Sequence, residues 1–122
     1  MDLINGTSKV LIVDDDTDSR NLILAILEPF AFDMVTAENG HDGFEKFIEW
    51  QPSLIITDLQ MPVMDGLELI KRIRSAGSIV PIMVISGAGV LLPEATLLGA
   101  NVVFDKPFVI DEVVASFNKL LG

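Results

Sequence analysis

The sequence predicts an α/β domain, a doubly wound five-stranded parallel sheet of order 2-1-3-4-5 with five helices. Two observations lead there. Short runs of branched apolar residues alternate five times with helix-length amphipathic stretches along the 122 residues. The runs are apolar at consecutive rather than alternate positions, so both faces need cover, as in a parallel sheet between two helix layers. Right-handed crossovers leave few topologies, and 2-1-3-4-5 is the leading one. In such sheets a ligand sits at the carboxyl ends of the strands, at the switch point between strands 1 and 3.

Residues 1–8 form a short polar lead, and residues 9–122 the domain. Lys9–Val13 is a buried-strand run stopped by acids. Asp16 or Thr17 caps a helix carrying Leu22, Ile23, Ile26 and Leu27, and Pro29 marks its end. Asp33–Ala37 is the second strand. Asn39 opens a helix to about Trp50, with Phe44, Phe47 and Ile48 expected inward. Leu54–Thr57 is the third strand, and 58–66 a loop with Pro62 and Gly66. Leu67–Arg74 is a helix with Leu67, Ile70 and Ile73 inward, followed by a fourth strand over Ile79–Ile85. Residues 86–93 are glycine-rich, with a short helix over Pro93–Leu98. Asn101–Phe104 is the fifth strand and Val109–Leu121 the last helix.

Composition narrows the function classes. There is no cysteine, which excludes disulfides, thiolate metal sites and a thiol nucleophile. Eighteen acids against eight bases give a formal charge of −10. That surface repels nucleic acid and anionic lipid, and suits a metal cation or a basic partner patch. No apolar run is long enough to span a bilayer, and the start lacks the order of a signal peptide. The expectation is a soluble, cytoplasmic protein with no direct nucleic-acid or membrane partner.

The residues that carry chemistry fall together. Asp14 and Asp15 end strand 1, Asp58 ends strand 3, Ser86 ends strand 4, and Lys106 follows strand 5. Any one alone is more simply a cap, a loop hydroxyl or a solvated lysine. As a set they share one edge of one sheet. Like charges about 4 Å apart repel by roughly 4 kcal/mol at an effective dielectric near 20, so three converging carboxylates call for a cation. Few protein ligands plus room for water favour Mg²⁺. A carboxylate can attack phosphorus to form an aspartyl phosphate. Lys106 would then supply a second positive charge, and Ser86 a hydrogen bond to a phosphoryl oxygen.

The segments VLIVDDD (10–16), LIITDLQMPVMDGLELIKRIR (54–74), PIMVIS (81–86) and DKPF (105–108) resemble the receiver domains of two-component response regulators. The resemblance spans roughly residues 9–120 and is most specific in D-x-x-M-P-x-M-D-G, Asp58 to Gly66. It implies the flavodoxin-like version of the fold, the order 2-1-3-4-5 being that of the chemotaxis member. It implies Asp58 as phosphoacceptor and Mg²⁺ as cofactor. Asp15 and Asp58 would be direct ligands, Asp14 one acting largely through water, and the main-chain carbonyl of Gln60 a third protein ligand. It implies Ser86 as the switch hydroxyl and Lys106 as the phosphate-pairing lysine, with a cis Lys106–Pro107 bond. It also implies a histidine kinase or histidine phosphotransfer protein as donor. The output would be a changed face of helix 4, strand 5 and helix 5, toward an unknown downstream effector or in a homodimer. Such a domain catalyses only its own phosphorylation and dephosphorylation.

Two departures bear on mechanism. Val103 stands where the family commonly has Tyr or Phe, and the stretch Ser86 to Ala100 is about two residues shorter than in chemotaxis relatives, so helix 4 should be short or displaced. Other functions fit less well. A phosphohydrolase on a similar sheet tends to carry an acid two residues after the nucleophile, where this chain has Gln60. A dinucleotide-binding domain needs a glycine-rich turn after strand 1, where this chain has DDDTDS. An interaction module that no longer takes phosphate is opposed by the intact acids, Ser86 and Lys106. His41, Asp65 and Asp105 are expected in surface or turn roles, and Trp50 in packing.

Overall fold

The structure, a computed structural model, describes residues 8–121. The lead expected over residues 1–8 lies almost wholly outside the described residues. The strands are β1 (Lys9–Val13), β2 (Asp33–Ala37), β3 (Leu54–Thr57), β4 (Ile82–Ser86) and β5 (Val102–Asp105). The helices are α1 (Thr17–Leu27), α2 (Gly40–Trp50), α3 (Gly66–Ser75), α4 (Leu92–Leu98) and α5 (Ile110–Leu121). Single 3-10 turns occupy Glu28–Phe30 and Gly89–Leu91. All pairs are parallel and the order is β2-β1-β3-β4-β5, as the sequence predicts.

Three helices start where an acid or amide side chain caps them. Asp16 accepts from Ser19 N, Asn39 from Asp42 N and Asp65 from Glu68 N, each satisfying an orphan amide of the first turn. The strands are apolar on both faces because a helix layer covers each. On one face Leu11, Ile55, Ile82 and Val84 pack with Leu69, Ile70 and Ile73 of α3 and Ala95 of α4. On the other, Val10, Ile12, Ile56, Met83 and Ile85 pack with Ile23 and Leu27 of α1 and Val113 and Phe117 of α5. Full burial of such a side chain contributes roughly 1.5–3 kcal/mol.

Several expectations need correction. The fourth strand starts at Ile82 rather than Ile79, which is 91% exposed. Pro81 has no N–H to give the ladder, and only its carbonyl pairs, with Ile55 N at 3.0 Å. The fifth strand runs Val102–Asp105, one residue later than expected. Asn101 brackets its start instead, its N donating to Ile82 O and its Oδ1 accepting from Ile82 N, both at 2.8 Å. Ile48, expected inward, is 58% exposed. The inner face of α2 centres on Gly40, Gly43 and Phe47, which puts Ile48 about a quarter-turn away. In α3 Ile70 and Ile73 are fully buried as expected and Leu69 joins them, while Leu67, expected inward, is only half-buried. Trp50 packs at the amino end of the sheet, with Lys9 Nζ 5.4 Å from its ring centroid.

Candidate functional site

Strand register brings the acids together. Val13 lies opposite both Ala37 and Thr57, so the residues that follow, Asp14 and Asp58, emerge side by side. Their backbones continue the ladder: Asp14 N donates to Ala37 O at 3.1 Å and Asp58 N to Val13 O at 3.0 Å. Asp14 is buried, Asp58 half-buried and Asp15 exposed. One carboxylate oxygen from each lies within 4.8 Å of the others.

The loop after β3 holds Asp58 tightly. Leu59 N donates to Asp58 Oδ1 at 2.6 Å and Thr57 Oγ1 to Asp58 O at 2.7 Å. Gly66 N donates to Leu59 O at 2.8 Å, and a Cβ on Gly66 would sit 2.0 Å from Asp58 O. Only glycine permits that approach. Gln60 is exposed in the same loop, two residues beyond Asp58.

Lys106 reaches into the cluster from the far end of β5. Its Nζ donates to Asp58 Oδ2 and to Ser19 Oγ, each at 3.1 Å, and to Asp14 Oδ2 at 3.4 Å. The Lys106–Pro107 bond is cis. Ser86 joins the group through its backbone, its carbonyl accepting from Lys106 N at 3.0 Å. Its buried hydroxyl accepts from Ala88 N at 3.1 Å. The structure brings Asp14, Asp15, Asp58 and Lys106 into one crevice, as the strand ends suggest. Sequence reasoning missed Ser19, whose only local signal was its position three residues after the Asp16 cap.

Burial and pairing set the charges. Burial pushes the Asp14 carboxyl up, and the amide of Asp16 and the Lys106 ammonium oppose this only in part. Burial alone would push Lys106 down, but the hydrogen bond and charge of Asp58, then those of Asp14, outweigh it and leave the ammonium above its ordinary value. The ion pair thus favours charged Lys106, while nearly full enclosure makes Asp14 the costly partner. Three carboxylates facing one ammonium leave two formal negative charges. That residue of charge, with one exposed acid open to solvent, fits a hard divalent cation. Beside the acids a cavity of about 260 Å³ opens between α1 and the start of α5. Its walls are mainly apolar, including Leu22, Ile23, Ile56, Phe108 and Ile110.

The fold and crevice define a doubly wound domain with an acidic crevice, able to hold a cation, at the switch point between β1 and β3. Known proteins agree. The family model for the response regulator receiver domain matches residues 10–118. The chemotaxis protein CheY of Bacillus subtilis is 36% identical, covering 93% of this chain and 98% of its own. Sporulation initiation phosphotransferase F of Bacillus subtilis is 31% identical, covering 93% of each. The response regulator TrrA of Thermotoga maritima, solved in complex with Mg²⁺-BeF, superposes with TM-score 0.87 at 29% identity over 94% of this chain and 100% of that one. Other relatives are longer: the chain spans 45% of the transcriptional regulator TrcR of Mycobacterium tuberculosis and 32% of YesN of Bacillus subtilis. This chain belongs to the response regulator receiver domain family of two-component signalling. Among the described residues no helix is long and apolar enough to cross a membrane.

Proposed function

We propose that Asp58 accepts a phosphoryl group from a phosphohistidine on a histidine kinase or histidine phosphotransfer protein. The P–N bond breaks, a P–O bond to the Asp58 carboxylate forms, and the leaving imidazole takes up a proton. The observation that carries this reading is the convergence on Asp58 of a cation at 3.1 Å and two neighbouring carboxylates within 4.8 Å. Asp14, Asp15, Asp58 and the Gln60 carbonyl would hold Mg²⁺. When bound, it would offset the charge gathering on the phosphoryl oxygens. Asp58 Oδ1 accepts from Leu59 N and Oδ2 from Lys106 Nζ, so the carboxylate is oriented from both sides for attack. Lys106 then follows the charge onto the phosphoryl group. The receiver unit would be residues 9–122, acting in the cytoplasm with residues 1–8 as a lead.

For the output, Ser86 is the trigger and the α4–β5–α5 face the result. A phosphoryl oxygen that draws the Ser86 hydroxyl inward takes it from Ala88 N, which it now anchors at 3.1 Å. Ala88 starts the segment whose Leu91 and Leu92 pack on the core beside Val103. Val103 has no ring to rotate, so the change runs through residues 86–98, an order–disorder route.

Two experiments test the two halves. Incubate the protein with phosphoramidate and Mg²⁺, and weigh it. The wild type should gain one phosphoryl mass, whereas Asp58→Asn, or wild type in EDTA, should not. Equal labelling of Asp58→Asn removes the acceptor assignment. In hydrogen exchange with beryllofluoride, the largest change should fall within residues 86–98; a change centred on Val103 instead rejects the output route.

A further inference from the structure

Four residues close a ring of hydrogen bonds beside Asp58. Asp16 N donates to Asp14 Oδ1 at 2.9 Å, and Ser19 N to Asp16 Oδ2 at 2.8 Å. Lys106 Nζ closes the ring, donating to Ser19 Oγ at 3.1 Å and to Asp14 Oδ2 at 3.4 Å. An ammonium has three protons to give, and Ser19, Asp58 and Asp14 take them all. Ser19 is the third residue of α1, on the turn that the Asp16 cap fixes. The cap fixes the Ser19 backbone, so its hydroxyl is left with a single side-chain torsion to settle.

Lysine is a point charge on a flexible four-carbon stem that carries about 2 kcal/mol of rotamer entropy. Two carboxylates attract such a group without fixing it to one place. A third acceptor, neutral and anchored to a helix, defines a single position over Asp58 Oδ2. Neutrality matters here, because a carboxylate in its place would pull the ammonium away from the acceptor.

We propose that Ser19 is a positioning residue for Lys106. Its hydroxyl holds the ammonium over Asp58 before phosphoryl transfer, and it acts through Lys106 rather than on the phosphoryl group. This rests on Asp58 being the phosphoacceptor, so the test has one arm that does not depend on that reading.

The first arm uses ¹⁵N-labelled, metal-free, unphosphorylated protein. An ammonium held by three acceptors exchanges slowly enough to give a side-chain ¹H–¹⁵N signal, assigned by its disappearance in Lys106→Ala. Wild type and Ser19→Thr should show it and Ser19→Ala should lose it, with all variants folded. The second arm measures phosphorylation by phosphoramidate at saturating Mg²⁺. Ser19→Ala should slow it roughly three- to tenfold, the scale of one hydrogen bond to a charged group that is partly open to water. Ser19→Thr should restore the rate, and Ser19→Ala should add nothing in a Lys106→Ala background. An unchanged Lys106 signal in Ser19→Ala, no Lys106-dependent signal in wild type, or equal slowing in the Lys106→Ala background each overturns the proposal. A wild type that takes up no phosphoryl group overturns the acceptor reading instead, and the ammonium arm still decides the tether.

Discussion

Lys106 and Arg74 are both half-buried cations tied down by several hydrogen bonds, at opposite ends of the sheet. Lys106, at the carboxyl end, faces the carboxylates of Asp58 and Asp14. Arg74, at the amino end, faces neutral oxygens: the carbonyls of Gly99 and Ser78 and the amide of Asn101, at 2.8 to 3.2 Å. Burial alone pushes Arg74 down from its ordinary value, whereas Lys106 ends above its own because carboxylates outweigh burial. The difference separates structure from function. Arg74's partners keep one charge state, so it can only fasten α3 to the start of β5. Under the proposed phosphorylation of Asp58, Lys106's partners would change charge, so it could report that change.

Three variants break or sharpen this contrast. The largest effect should come from Gly66→Ala, at the carboxyl end. Its new Cβ would meet Asp58 O at 2.0 Å and Leu59 Cα at 2.8 Å, both backbone atoms that cannot step aside. Denaturant unfolding should show a loss of about 4 kcal/mol or more, in the range reserved for core disruption. A loss under about 1 kcal/mol would mean that the acceptor loop is not held as tightly as its contacts indicate.

Arg74→Ala comes next. It leaves the Gly99 and Ser78 carbonyls without this donor, at a cost of about 2–3 kcal/mol. Phosphoryl labelling of Asp58 should survive under conditions where the variant is folded. If labelling falls with stability still adequate, the two ends are coupled and the contrast fails. Gly99 belongs to the same clamp: its φ is +121°, and a Cβ there would press on Arg74 Nε at 2.8 Å.

The smallest effect, and of opposite sign, is expected for Asp14→Asn in metal-free protein. Burial raises the folded Asp14 pKa above its ordinary 3.8. A raised folded value means that Asp14 favours the fold while protonated and loses that contribution as pH rises through the folded pKa. The substitution should therefore stabilise by about 1 kcal/mol near neutral pH, and the gain should shrink as pH falls below the folded value. Lys106 does not confuse the comparison: its pKa lies above 10.5 when folded, so its contribution is constant across this window and is lost only at higher pH. A thermal melt series from acid to neutral pH checks the trend. Destabilisation at neutral pH would show that the pairing with Lys106 outweighs the burial cost.

What was legible in the sequence follows the range over which each signal acts. The alternation of elements and the caps at Asp16 and Asn39 depend on residues within a few positions of one another and appear where the sequence puts them, whereas Asp65, expected in a turn, caps α3, which starts at Gly66 rather than Leu67. Parallel pairing with right-handed crossovers then brings Asp14 and Asp58 to one edge with little further choice. Two errors were local signals misread. Ile79 reads as strand until Pro81 withholds its amide, and Ile48 reads as core until the glycine-lined face of α2 turns it outward. The tether from Ser19 to Lys106 joins residues 87 positions apart, and the Arg74 clamp joins residues 25 and 27 apart. No local pattern encodes such contacts, because their free energy appears only after the sheet has closed the distance. The sequence by itself determined the alternation of strands and helices and that acids follow β1 and β3. Tertiary packing alone decided which neutral oxygen holds the lysine and which cation only holds the fold together, since both depend on what burial places within hydrogen-bond reach.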